Sequence, residues 1–186
     1  MNYYKDLKNK SRSSIVTWLI IITVVISIAA FIIFRFSEEN IKYLALKPWN
    51  IAEGKYLWTI LIHVFVHGSI PHLLINMFVL FSLGSLCERI IGRKRFFWFY
   101  IVAGIFAGLL SVFLSLMFSS SELGTKLFGF PDIYMVGASG AIFAIAGLYV
   151  ILLPKLRFMI IFLPFFSLPA YIMIPVVLFI TWIVSF

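Results

Sequence analysis

The chain has 186 residues, of which 63% are apolar and only 12% charged, against roughly 45–50% and 25% in soluble domains. With a mean hydropathy of +1.10, these values exclude a soluble globular domain and a disordered chain. The net charge of +8 does not indicate nucleic acid, because the basic residues sit at the ends of apolar runs, as membrane topology requires. A single cysteine, Cys87, excludes an intramolecular disulfide framework. About 20 residues cross the hydrocarbon core as a helix, so the length allows five or six spans with short connections.

Residues 1–13 are polar and basic and read as a cytoplasmic tail. The apolar run 14–36 is too long for a signal-peptide core and has no small-residue cleavage pattern after it, so it predicts the first span. Residues 37–70 carry Trp49, Tyr56 and Trp58 among charges of both signs. That mixture predicts a structured loop at the membrane interface between spans one and two. The second span is expected at 71–91, opened by Pro71 and closed by a basic turn at 92–95. The third is expected at 96–118. A loop with Gly124, Gly129 and Pro131 follows, then a short fourth span at 137–153 that stops before Pro154. The uncharged run 158–186 is divided by Pro164, Pro169 and Pro175, which argues against one straight helix. It predicts a kinked connection up to Pro169 and a fifth span from Ala170. The whole chain, 1–186, reads as one all-α polytopic membrane domain.

Ten of the fifteen Lys and Arg residues fall in 1–13, 89–95 and 155–157. The positive-inside rule then puts the N-terminus in the cytoplasm. The absence of organelle-targeting features predicts a prokaryotic cell membrane.

Polar groups inside a span are costly and are functional candidates. One cluster is His63, His67, His72 and Asn76, around the outer end of span two, where His72 and Asn76 share a helical face. The other is Gly137-Ala138-Ser139-Gly140, at the outer end of span four. The topology brings both clusters to one side and one depth. Ser139 as a nucleophile would sit at a helix N-terminus, where free N–H groups favour negative charge. An oxyanion there would accept hydrogen bonds from backbone N–H groups, His72 and Asn76. The competing account makes Ser139 a small packing residue or helix cap. His63 and His67 have metal-ligand spacing, but no glutamate stands between them and no third ligand is evident. Their expected role is structural, with no metal. Gly104 and Gly108, and Gly140, Ala144 and Gly147, are expected at close helix contacts, so the span-four face needs a partner helix.

The run His63-x-x-x-His67-x-x-x-x-His72-x-x-x-Asn76, followed by Gly137-x-Ser139-Gly140 opening a short helix, resembles the rhomboid intramembrane serine proteases. Glu88, Arg89 and Gly92 at the inner end of span two fit the same family, as does the aromatic interfacial loop. The resemblance implies a six-helix core that cuts transmembrane segments of membrane proteins near the outer face, without metal or cofactor. It implies Ser139 as nucleophile and His72 and Asn76 as oxyanion stabilisers, with the Ser139 N–H. Gly137, Ala138, Gly140, Phe143, His63 and His67 support them, Phe143 occupying the place of a tyrosine that stacks on the base. Trp58-Thr59 stands where many members have Trp-Arg.

The resemblance also implies a general-base histidine on a sixth helix. The three histidines of this chain are His63, His67 and His72, and none aligns with that base. About five of the six helices are therefore expected here. The sixth, or a second chain, is expected to pack on Gly140, Ala144 and Gly147. The alternative is a catalytically inactive relative that binds membrane-protein clients.

Overall fold

The computed structural model describes residues 14–155, 157–160, 163–172 and 174–176. Its helices are α1 (Ile15–Phe36), α2 (Pro48–Ala52), α3 (Thr59–Ile62), α4 (Ile70–Ile91), α5 (Arg93–Phe118), α6 (Glu122–Phe128) and α7 (Ser139–Leu152). Short 3-10 turns occupy Glu38–Tyr43 and His63–Phe65. Among the described residues, three helices, α1, α4 and α5, are long and apolar enough to cross a membrane, and α7 is a shorter apolar helix. The protein is an integral, multi-pass membrane protein. The expected tail at 1–13 and the end of the fifth span, 177–186, lie outside the described residues.

Helix α1 buries one stripe, Val16, Leu19, Thr23, Ser27 and Ala30, at helical spacing. Trp18, Ile22 and Val25 on its other side are exposed, as a lipid-facing surface requires. Its N-terminus is capped from another span. The Glu88 carboxylate accepts the Ser14 hydroxyl and the N–H groups of Ile15 and Val16, at 2.9 and 3.0 Å for the two amides. Those amides would otherwise have no partner at a helix start.

The segment between α1 and α4 is folded, as its composition predicts. Leu46 pairs through both backbone groups with Met135, and the Trp49 N–H reaches the Pro131 carbonyl. Lys47 meets Asp132 at 2.8 Å, and that carboxylate holds the Lys47 pKa above its ordinary value. Tyr43, Tyr56 and Trp58 stack edge to face.

Helix α4 starts at Ile70 with Pro71 in its first turn, and Ser69 Oγ accepts the His72 N–H. A π turn at Leu80–Gly84 interrupts it before the last segment, Ser85–Ile91. Gly92, at φ 88°, then turns the chain directly into α5. The basic residues 93–95, expected as a turn, are therefore the first turn of that helix.

Helix α7 packs chiefly on α5, and the core gathers Leu73, Leu80, Phe96, Tyr100 and Ile145 around it. The described body is helical. The kinked connection expected up to Pro169 is instead an antiparallel hairpin of β1 (Arg157–Ile160) and β2 (Leu163–Pro169), with Arg157 opposite Pro169 and Met159 opposite Ser167. Its run of Phe, Ile and Leu suits a strand as well as a helix, and Pro164 and Pro169 disfavour the helix. Helical backbone resumes at Ala170.

Candidate active site

The two polar clusters come together where the 63–69 loop, the start of α4 and the start of α7 meet. Gly137 is the hinge of the arrangement. Its φ of +123° admits only glycine readily, and its N–H donates to the His63 carbonyl at 2.9 Å. A methyl at this position would sit 2.9 Å from His72 Cε1 and 3.2 Å from its Nε2, and 3.8 Å from Ser139 Oγ. The imidazole of His72 and the hydroxyl of Ser139 thus converge on one point above Gly137. Gly137→Ala is expected to cost about 2 kcal/mol in backbone strain and to push the His72 ring aside. Thermal unfolding in detergent, read beside activity, checks both effects.

Ser139 opens α7, directly after the fully buried Ala138. It borders a cavity of about 340 Å³ whose other walls include Gly104, Ala107, Gly108 and Ser111 of α5 and Phe143 of α7. Phe143 is exposed, one turn below Ser139. Asn76 lies one turn along α4 from His72 and is 6% exposed. Its side-chain nitrogen has no hydrogen-bond partner among the described residues. A buried amide donor without a partner costs free energy unless something occupies it, and a developing oxyanion is one such acceptor.

His63 and His67 are committed to holding the loop. The Nδ1–H of His63 donates to the Thr59 carbonyl at 2.9 Å. His67 is fully buried. The Ala138 N–H points at its Nε2 at 3.5 Å, so Nδ1 carries the proton and donates to Ser27 Oγ at 3.0 Å. Ser27 in turn donates to the Phe65 carbonyl at 3.0 Å. The ring of His67 meets that of His72 edge to face at 5.0 Å. Ser27 belongs to the site and was missed in the sequence. A lone serine within an apolar span was the available signal.

Burial, then the neighbouring His72, pushes the His67 pKa from 6.5 to about 4. Burial lowers His63 as well. The unfolded chain therefore binds a proton that folded His67 refuses between pH 6.5 and about 4. Stability is full above that window and falls as the pH drops through it. Unfolding midpoints measured from neutral pH downward should show this decline, with a shallower slope in His67→Gln. A flat wild-type profile would contradict it.

Gly104 makes the close helix contact expected of it, with Ala141 of α7 3.5 Å from a methyl placed there, but the tightest contacts of Gly104 and Gly108 are with the loop before α4. A methyl at Gly108 would lie 2.6 Å from His63 Cε1, and one at Gly104 would lie 2.9 Å from Val64. The small face of α5 therefore receives the side chains of His63 and Val64. Gly140 does meet a helix, since a methyl there would be 2.5 Å from Ala107 of α5. Gly147 is exposed, with nothing within 4 Å of that position among the described residues.

These features define a polytopic membrane protein in which a serine that opens a short apolar helix meets a histidine of a neighbouring span. The rhomboid domain matches residues 54–186, and the chain belongs to the rhomboid family. Over 122 residues it is 33% identical to the rhomboid protease AarA of Providencia stuartii, covering 63% of this chain and 42% of that protein. It is 34% identical over 111 residues to the rhomboid protease GluP of Bacillus subtilis, covering 59% and 18%. It is 34% identical over 110 residues to the human mitochondrial presenilin-associated rhomboid-like protein, covering 59% and 26%. The chain thus spans less than half the length of these relatives.

Proposed function

We propose that the chain carries the nucleophile and oxyanion site of an intramembrane serine endopeptidase that cuts transmembrane segments of membrane proteins near the outer face. The observation that carries this reading is the convergence of Ser139 Oγ and the His72 ring on Gly137. Ser139 attacks the scissile carbonyl, and its backbone N–H, His72 and Asn76 stabilise the oxyanion. The unpartnered Asn76 amide supports that assignment. The N-terminus is cytoplasmic, and the single domain lies in a prokaryotic cell membrane. No metal or cofactor enters the reaction.

The base, by family resemblance, is a histidine of a sixth helix seated on the Gly140, Ala144 and Gly147 face, or on a second chain. His63 and His67 are tied to loop hydrogen bonds, which leaves them unsuited to the task. A second reading, an inactive client-binding relative, draws on the same fact. A fluorophosphonate probe applied to native membranes separates the two. The protease reading expects a covalent adduct on the peptide containing Ser139. Absence of any adduct, with client binding intact, would favour the inactive relative.

A further inference from the structure

A second cavity lies at the far end of α4 from His72. It holds about 500 Å³, and its walls include Ser14, Thr17, Phe81, Glu88, Arg89 and Arg93. Glu88 is already committed. Its carboxylate accepts the Ser14 hydroxyl and two α1 amides, and it lies 3.8 Å from Arg93 Nε. Arg89, Lys94 and Arg95 are exposed and form no ion pair among the described residues.

The secondary structure does not account for these cations. The first turn of α5 contains no acid, and cations at that end oppose the helix dipole. A topology signal needs the charges but not a cavity between them. Phe81, 59% exposed, adds an apolar wall open toward the bilayer. A cationic rim beside an apolar wall at the end of two membrane spans suits a phosphate ester that carries acyl chains. Basic pockets between membrane helices bind anionic lipid headgroups in this way.

We propose that this cavity binds an anionic phospholipid, its headgroup phosphate held by Arg89 and Arg93 and its acyl chains along Phe81, with Lys94 and Arg95, next along α5, adding positive charge nearby. The site is independent of the catalytic reading.

Native mass spectrometry of the detergent-purified protein, titrated with phosphatidylglycerol or phosphatidylcholine, tests it. The expected result is selective retention of phosphatidylglycerol. Removing three cations in R89Q/K94Q/R95Q should weaken retention on the order of 100-fold. R89Q alone should weaken it about fivefold, which keeps the test decisive if the triple variant does not fold. Lys126→Gln, an exposed cation of α6, should leave retention unchanged. Equal retention of the two lipids, an equal loss in Lys126→Gln, or no loss in the Arg89 variants would overturn the proposal. Displacement by millimolar inorganic phosphate would also overturn it, by making this a site for free phosphate.

Discussion

Ser139→Ala is expected to remove fluorophosphonate labelling and to lower cleavage of a transmembrane substrate by about 10³-fold or more. A serine hydroxyl becomes a useful nucleophile only when a base takes its proton, and the covalent step is lost with the hydroxyl. The variant should fold normally, since alanine suits a helix start that is already packed on Ala107 through Gly140. His72→Ala and Asn76→Ala should each retain the label but lose about 10²–10³-fold in turnover, the usual cost of one oxyanion donor. These outcomes separate the roles, because a nucleophile is needed for the adduct and an oxyanion donor mainly for its rate. Cleavage that persists in Ser139→Ala would sink the assignment.

Glu88→Gln is expected to destabilise the bundle by about 2–4 kcal/mol, more than any exposed ion pair contributes. The carboxylate is 6% exposed and serves a hydroxyl and two amides at the start of α1. A glutamine offers one oxygen and turns an NH₂ toward groups that are themselves donors. It also withdraws negative charge from the positive end of a 22-residue helix. In Arg93→Gln, loss of the contact with Glu88 should account for under about 1 kcal/mol, because that contact is long and partly exposed. Unfolding in a graded mixture of mild and harsh detergents, followed by circular dichroism, measures both. Equal stability of wild type and Glu88→Gln would refute the cap.

The spans were legible because hydropathy reports directly on the bilayer. The expected 14–36 matches α1, and the expected 71–91 matches α4, each to within one residue. The convergence of His72 with Ser139 was legible too, since topology alone puts the ends of two spans at one depth. The partners that support the site were not. Ser27 reaches His67 across 40 positions and Glu88 reaches Ser14 across 74, and no local pattern encodes such pairings. Small residues on α5 signalled a close approach correctly, but not that the loop carrying His63 and Val64 makes the tightest of it. The hairpin at 157–169 escaped for a different reason. Short apolar runs carry no period that separates strand from helix.

The π turn in α4 sets the phase between the two ends of that span. In an unbroken α-helix, at about 100° per residue, Asn76 and Glu88 would point about 120° apart. The extra residue taken up by the wide turn brings them within about 20° of each other. Both are buried, one at the candidate active site and the other clamping α1. The span therefore works as a shaft keyed at Leu80–Gly84. Deleting one residue there would restore a regular α-helix with its two ends still about 20° apart, so both should keep their seats, whereas deleting a residue elsewhere in the span would turn one of them away by about 100°.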